Sequence, residues 1–191
     1  AKKADYVIFV GGMNKAHNQD CEDGDRLYYE LPYGQDQLIS ALAAVNDKVI
    51  FVSISGNAHG MPWCNDVEAI LQAWYSGSET GHAVADVIFG DVNPSGKLPY
   101  TIQPTLADYP AHQYGEIAYP GVDKQVHYLE DIFVGYRYAD LYGTRRPIKY
   151  ASQGVQYTIN PPKRKPIFPF GFGLSYTTFA YSNATLSGNQ I

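Results

Sequence analysis

The sequence predicts an α/β fold built on an open parallel sheet, and two observations lead to that prediction. Apolar runs rich in β-branched residues alternate with segments of helical apolar spacing through the first half of the chain. The predicted strands are continuous apolar runs, as is typical of parallel strands covered on both faces. The resulting order β-α-β-(α)-β-α indicates a parallel sheet with helices on both of its faces.

Three apolar runs are predicted to be strands. Residues 6–10 form the first, which stops at Gly11-Gly12, and Val49–Ile54 form the second, which stops at Ser55-Gly56. We expect both to be buried on both faces. The third run, residues 69–75, also fits helical spacing, and we expect a short helical turn followed by a strand.

Two segments carry the apolar stripe of a helix that packs on a sheet. The first follows Pro32, and its stripe consists of Leu38, Ile39, Leu42, Ala43 and Val45. The second is Thr80–Phe89, which Gly90 ends. Its predicted inner side consists of Ala83, Val84, Val87 and Ile88.

The second half of the chain has a different character. Residues 106–166 are rich in Tyr, Pro and Gly, which favours irregular connections over packed elements. Residues 168–176 interleave aromatic residues with glycines, and residues 177–186 alternate in the manner of a strand. We therefore divide the chain into an α/β segment (1–104), an irregular connecting region (105–166) and a final β-type part (167–191).

Both ordered parts have fewer strands than a complete domain of their type. Three parallel strands fall short of the five or so of a doubly wound sheet, and one or two final strands fall short of the roughly seven of a β-sandwich. We therefore expect the chain to be a segment of a larger protein, or to rely on another chain to complete its sheets.

The composition excludes several classes of function. Fourteen Lys and Arg against nineteen Asp and Glu give a net charge of −5, which is wrong for a phosphate-backbone binder, so we expect no nucleic-acid partner. No apolar run approaches the roughly 18 residues that cross a bilayer, so we expect no membrane partner. Seventeen tyrosines offer surfaces suited to sugars, although a Tyr-rich β-sandwich or loop region explains the same count.

The loop after the first predicted strand concentrates acidic residues. Asp20, Glu22, Asp23 and Asp25 lie within six positions, and Arg26 follows them. Ligands of parallel sheets bind beyond the carboxyl ends of the strands, where this loop begins. Neighbouring carboxylates raise a carboxyl pKa and a neighbouring arginine lowers it, which is the division that acid–base catalysis needs. A solvated acidic loop without a catalytic role is the alternative, and the charge pattern leaves it open.

The sequence predicts neither a metal site nor a cofactor. The acidic loop lacks the spacing and the distal glutamate of a calcium loop. Cys21 and Cys64, with His17 and His59, lack the paired spacing of a zinc site. The two cysteines allow one disulfide or none.

Six stretches, in this order, carry a resemblance to a known family. They are residues 4–11 (ADYVIFVG), 22–26 (EDGDR), 31–35 (LPYGQ), 90–99 (GDVNPSGKLP), 134–137 (VGYR) and 170–176 (FGFGLSY). Together they make the chain similar to the carboxyl-terminal portion of glycoside hydrolase family 3, the β-glucosidase and β-xylosidase family.

This resemblance implies a three-part enzyme. A TIM-like barrel carries the nucleophilic aspartate, an α/β sandwich supplies the acid/base, and a fibronectin type III-like domain packs behind. The chain then begins inside the sandwich and stops just inside the last domain, at residues 167–191. We accordingly expect the barrel and its nucleophile on missing sequence or another chain, and the segment alone to be inactive.

Site residues follow from the same resemblance. The Glu-x-x-Asp-Arg pattern makes Glu22 the general acid/base, Asp25 and Arg26 supports of the loop, and Asp20 a candidate ligand contact. Trp63, in the loop after the second strand, forms either an aglycone wall or packing under that loop. Asp131 replaces a glycine that is common in the family, which we expect to alter a turn.

These expectations define a retaining, exo-acting β-glycosidase that releases terminal β-D-glucosyl or β-D-xylosyl residues. Its substrates would be β-linked oligosaccharides or aryl and alkyl glycosides, without a cofactor, and its location extracytoplasmic. The alternative is a non-catalytic carbohydrate-binding or structural module of the same fold.

Overall fold

The computed structural model describes residues 1–15, 19–20, 26–152, 155–185 and 188. Three parallel strands form the main sheet of the first half of the chain. Strands β1 (Val7–Gly12), β2 (Val49–Ile54) and β3 (Ala69–Gln72) lie in the order β1-β2-β3. The register aligns Phe9 with Phe51 and Phe51 with Ile70. The predicted parallel α/β arrangement is therefore confirmed.

Two helices accompany this sheet. Helix α1 (Gln35–Ala43) connects β1 to β2, and helix α2 (Thr80–Phe89) follows β3. The predicted bounds of β2 and α2 agree with the structure. Strand β3 ends at Gln72 rather than at residue 75, because Trp74 takes a left-handed backbone conformation (φ 58°) that no strand contains.

The prediction that β1 is buried on both faces is wrong. Ile8 and Val10 are 46% and 59% exposed, whereas Phe9 packs against the core. Helix α1 covers the face that carries Phe9, and β1 is an edge strand of the described sheet. The predicted inner side of α2 is likewise no more than half-buried, and Ala83 is exposed.

The main core lies between α1, β2 and the loop that follows β2. Phe51 and Trp63 are fully buried and meet edge to face with ring centroids 4.7 Å apart. The other buried members of this cluster are Met13, Leu31, Ile39, Met61 and Ile102. Such a core fixes the positions from which the loops at the carboxyl edge of the sheet emerge.

The second half contains more regular structure than the sequence predicts. Helix α3 (Tyr136–Ala139) precedes an antiparallel hairpin of β4 (Ile148–Ser152) and β5 (Val155–Ile159). The prediction of irregular structure across this region is therefore wrong for the hairpin, because the high Tyr, Pro and Gly content around it conceals two short alternating runs. The predicted strand at 177–186 is also wrong, since residues 177–185 form no strand and have no ladder partner in the described chain.

The aromatic and glycine-rich stretch returns to the α/β segment. Leu98 N–H donates to the Phe172 carbonyl (2.9 Å), and Ile102 N–H donates to the Phe168 carbonyl (2.8 Å). Phe168 and Ile167 pack against the main core. Residues 167–172 thus belong physically to the region that carries the sheet.

Asp131 lies in the left-handed region of the backbone, with φ 51°. A glycine adopts this conformation without steric cost, whereas a residue with a Cβ does so less readily, aspartate being among the better tolerated. The backbone at position 131 therefore has a conformation that favours glycine, although this sequence has aspartate where the family pattern has glycine.

Candidate functional site

Loops from all three strands meet at the carboxyl edge of the sheet. The polypeptide leaves β1 at Gly12, β2 at Ile54 and β3 at Gln72, and these three ends lie side by side. This edge is where parallel sheets hold their ligands. The acidic loop after β1 starts here.

Asp20 connects that loop to the ends of β2 and β3. Its carboxylate accepts hydrogen bonds from the Gly56 backbone N–H (2.7 Å), the Asn57 side-chain amide (2.7 Å) and the Tyr75 hydroxyl (2.8 Å). Gly56 and Asn57 follow β2, and Tyr75 follows β3. We call Asp20, Gly56, Asn57 and Tyr75 the Asp20 cluster, and it joins three loops through a single carboxylate.

Arg26 fixes the other end of the same loop. Its guanidinium donates to the Ala58 carbonyl (2.6 Å) and contacts the Met13 sulfur. Burial lowers the pKa of Arg26, and the charge of Asp20 partly offsets that effect. The residues on either side of positions 21–25 are thus both held at the strand ends.

Tyr75 reaches Asp20 from an unusual stretch of backbone. The preceding residue, Trp74, has φ 58°, a conformation that costs a bulky residue of order 1–3 kcal/mol. Its ring packs edge to face on Tyr100, with centroids 5.5 Å apart. Burial of the Tyr75 hydroxyl and its hydrogen bond to Asp20 raise the pKa of Tyr75, so this hydroxyl acts as a donor.

A network of tyrosine hydroxyls lies beside Arg26. The Tyr29 hydroxyl donates to the Gln103 carbonyl (2.9 Å) and lies 3.0 Å from the Tyr109 hydroxyl. Burial raises the pKa of Tyr29 and of Tyr109, and it raises the pKa of Tyr100 to about 12. The Tyr100 hydroxyl is buried and has no hydrogen-bond partner among the described residues.

A shallow groove of about 420 Å³ opens next to Arg26. Leu27 and Tyr28 line it and are 80% and 73% exposed. The remaining lining residues are Gln19, Glu30, Leu31 and Pro32. This mixture of aromatic, apolar and polar surface suits a sugar or an aryl group.

The structure describes some of the predicted site residues and leaves others outside the described part of the chain. Glu22 and Asp25 lie outside the described residues. Asp20 and Arg26 are brought to the same edge, both on backbone groups of the loop after β2.

Trp63 has no exposed surface, and its indole N–H donates to Asp36 (2.7 Å). A side chain without accessible surface does not line a cleft. The aglycone-wall interpretation of Trp63 is therefore dropped, and the packing interpretation fits the structure.

Sequence reasoning missed a buried polar pair behind the site. The Ser53 hydroxyl lies 2.9 Å from His59 Nε2, and His59 Nδ1 lies 2.8 Å from the Gly60 carbonyl. Burial lowers the pKa of His59, so the ring is neutral, donates from Nδ1 to Gly60 and accepts from Ser53. The sequence places His59 in a loop, and only tertiary packing against Phe51 reveals its burial.

The described part of the chain contains one free cysteine and neither a cluster of metal ligands nor a membrane-spanning helix. Within those residues, no group of three or more His, Cys, Asp or Glu side chains is arranged to hold a metal ion. Cys64 is a free, half-buried thiol, and Cys21 lies outside the described residues. No helix among the described residues is long and apolar enough to span a bilayer.

The fold and this edge define an α/β domain whose loops meet at the carboxyl edge of a parallel sheet, and comparison with known proteins identifies its family. Residues 1–136 match the glycosyl hydrolase family 3 C-terminal domain. Since this match covers well over half of the chain, the chain belongs to that family. The resemblance stated from the sequence is therefore confirmed.

Its relatives are β-glucosidases. The chain is 50% identical to beta-glucosidase BoGH3A of Bacteroides ovatus over 191 residues, which is all of this chain and 23% of that protein. Its structure is similar to that of a β-glucosidase from Kluyveromyces marxianus, with a TM-score of 0.75 at 36% identity over 93% of this chain and 19% of the other. It is also similar to DesR, a β-glucosidase from Streptomyces venezuelae in complex with D-glucose, with a TM-score of 0.74 at 35% identity over 94% and 20% of the two chains. The chain thus spans about a fifth of the length of the relatives that it matches.

Proposed function

We propose that this chain is the acid/base-bearing segment of a retaining, exo-acting β-glycosidase that releases terminal β-D-glucosyl or β-D-xylosyl residues. Its relatives are β-glucosidases, which supports the reaction class. The observation that carries the catalytic assignment is the anchoring of Asp20 and Arg26 at the carboxyl edge, on either side of residues 21–25.

Glu22 is the proposed general acid/base. In the first step its carboxylic acid donates a proton to the glycosidic oxygen while an aspartate nucleophile attacks the anomeric carbon, and the sugar–oxygen bond breaks. In the second step the Glu22 carboxylate takes a proton from water, and that water releases the sugar from the enzyme. The two carboxyl groups of a retaining enzyme are about 5–5.5 Å apart, so a partner domain has to face this edge closely.

That partner is a barrel domain, on sequence outside this chain or on another chain. A second proposal concerns the division of this chain: residues 1–104 form the α/β sandwich segment and 105–166 connect. Within 167–191, the stretch 167–172 still packs on the main core, and a fibronectin type III-like domain begins after it. Asp25 and Arg26 support the loop, and Asp20 holds it or touches substrate. An extracytoplasmic location completes the proposal.

The natural substrates are β-linked oligosaccharides or aryl and alkyl glycosides. The groove beside Arg26, with exposed Leu27 and Tyr28, is compatible with either an aryl group or a second sugar. The same groove also favours the alternative, a non-catalytic carbohydrate-binding module, since binding needs no acid. A test of the acid therefore decides between the two.

The test replaces Glu22 in the complete enzyme. We expect Glu22→Ala to reduce hydrolysis of a disaccharide by about 10²–10⁴-fold, because its leaving group needs a proton. Formation of the glycosyl-enzyme from a dinitrophenyl glycoside should survive, because that leaving group departs as an anion, and azide should restore turnover. Unchanged activity of Glu22→Ala on the disaccharide would reject the acid and favour the binding module.

A further inference from the structure

A strongly basic segment lies in the second half of this acidic chain. Residues 141–165 contain six of the 14 Lys and Arg and none of the 19 Asp and Glu. The rest of the chain therefore holds eight basic and 19 acidic residues, and the net charge of −5 conceals a separation of charge. The segment lies beyond residues 1–136, which match the family domain, so membership of the family does not explain it.

The hairpin of β4 and β5 brings two basic runs to the same end of its ladder. The strands are antiparallel, and Ile148 at the start of β4 pairs with Ile159 at the end of β5. Arg145 and Arg146 come just before this pair, and the run 163–165 comes just after it. Paired strands lie about 4.8 Å apart, so the two runs leave the hairpin side by side although 16 residues separate them in sequence.

Five of the six basic side chains in this segment are exposed and have no ion pair among the described residues. We call these five the basic patch: Arg145, Arg146, Lys149, Lys163 and Lys165. Like charges held near one another repel, so the patch lowers the stability of the folded chain unless an anion offsets it. Its charge pattern therefore favours a binding role over a structural one.

The sixth basic residue, Arg164, fixes one of the two runs to the body of the chain. Its guanidinium donates to the Asp108 carboxylate (3.0 Å) and to the Thr105 hydroxyl (2.7 Å), and its second contact with Asp108 is 2.7 Å long. Asp108 is buried and neutralises Arg164, so the charges of the lysines on either side stay uncompensated. The two prolines at 161–162 stiffen the backbone before this run, which sets the positions of the charges before a ligand arrives.

From this arrangement we infer that the basic patch binds a linear acidic polysaccharide through its carboxylates. The planar fork of arginine matches a carboxylate with two parallel hydrogen bonds, and lysine adds a point charge. Tyr142, three residues before Arg145 and 47% exposed, offers a face on which a sugar ring packs. A nucleic acid fits less well, because the acidic remainder of the chain repels a polyanion that extends beyond the patch. The choice of a glycan rests on the proposed function, whereas the patch itself does not.

The experiment measures binding of the complete enzyme to immobilised polygalacturonate by biolayer interferometry, without turnover. The matched ligand is fully methyl-esterified polygalacturonate, which has the same backbone and no charge. We expect binding to the charged form alone, with a Kd that rises about 10-fold or more between about 50 and 200 mM salt, because binding releases counterions.

Two double variants locate the binding on the patch. Arg145→Gln with Arg146→Gln, and separately Lys163→Gln with Lys165→Gln, should each raise the Kd about 5-fold or more, since each pair removes two of the five patch charges. The matched control is Lys2→Gln with Lys3→Gln, which removes two exposed charges outside the patch and should change the Kd by less than about twofold. Equal thermal unfolding midpoints show that all variants are folded.

Three results would overturn the inference. They are equal binding of the charged and esterified forms or no binding to either, an equal loss in the Lys2 and Lys3 control, and tighter binding of a single-stranded DNA oligonucleotide than of polygalacturonate at the same salt concentration. The last result would make the patch a nucleic-acid surface. Because binding is measured without hydrolysis, its failure leaves the Glu22→Ala test unaffected, and failure of that test leaves the binding result standing.

Discussion

Strands β1 and β2 begin with the same four residues, Val-Ile-Phe-Val, and pair in direct register, yet they occupy different environments. In β2, Val49, Phe51 and Val52 have no exposed surface. In β1, Val10 is 59% exposed although its register partner is Val52. Identical local sequence therefore does not fix burial, which depends on how many neighbours the sheet provides on each side.

The sharpest test of this comparison replaces the paired phenylalanines. Phe51→Ala removes a fully buried ring that packs on Trp63, and we expect it to lower the free energy of unfolding by about 3–5 kcal/mol. Phe9→Ala removes a half-buried ring and should cost roughly 1–2 kcal/mol. Urea unfolding of the chain measures both, and equal losses would contradict the difference between the strands.

The ends of the two strands provide the second test. Gly12 at the end of β1 has φ 134°, and a Cβ there would collide with the backbone of Ile54 at the end of β2. We expect Gly12→Ala to cost roughly 2–4 kcal/mol, since neither the backbone angle nor the space allows the methyl group.

The comparison variant is Gly77→Ala, which also has a positive φ (81°, against 134° at Gly12) but no atom within 4 Å. It should cost only about 1–2 kcal/mol, from backbone conformation alone. The difference between the two alanine variants in thermal unfolding measures the close approach of β1 to β2 together with the less tolerated φ of Gly12, and indistinguishable variants would refute the predicted collision.

These contrasts show which features the sequence predicts and which it does not. The bounds of β2 and α2 follow from local apolar period and from a terminal glycine at position 90, both of which are visible in the sequence. The exposed face of β1 is not predictable in this way, because it depends on the absence of a covering element within the described chain.

The same distinction applies to the site. Clustered acidic residues after a strand predict a functional loop at the carboxyl edge, and the structure places Asp20 and Arg26 there. The contribution of Tyr75, 55 positions along the chain from Asp20, has no local signal. The burial of Trp63 and of His59 likewise depends on tertiary packing, because a loop position alone suggests exposure.

Val10 and Val52 pair in register, and a polar substitution at either should change the free energy of unfolding less than Phe51→Ala or Gly12→Ala does. Val52→Thr places a hydroxyl at a position without exposed surface, which we expect to cost about 1–3 kcal/mol. Val10→Thr places the same group on an exposed face and should change the unfolding free energy by less than about 0.5 kcal/mol. A large decrease in the urea midpoint of Val10→Thr would mean that another element covers this face of β1.

The smallest predicted effect is the pH dependence of stability that arises from the buried pair of Ser53 and His59. Burial lowers the pKa of His59 in the folded chain below its ordinary value of about 6.5, so the unfolded chain takes up a proton first as the pH falls. The stability contributed by neutral His59 is therefore complete above about pH 6.5 and is lost below it. Asp20 and Asp36 oppose the shift, and Arg26 adds to it.

His59→Gln should flatten that dependence, because glutamine does not titrate and still offers an acceptor to Ser53. Urea midpoints at about pH 5 and pH 7.5 give the comparison. If the urea midpoint changes with pH by the same amount in His59→Gln and in the parent chain, another group causes the pH dependence.

The central claim is that the loop at the carboxyl edge supplies the acid/base of a retaining glycosidase. Its most direct test is the product that Glu22→Ala of the complete enzyme forms from a dinitrophenyl β-glucoside in the presence of azide, identified by NMR. We predict β-glucosyl azide, because azide attacks the glycosyl-enzyme from the side that the missing acid/base leaves open. An α-glucosyl azide would instead mark Glu22 as the nucleophile, and the absence of any azide adduct would contradict a catalytic role for Glu22.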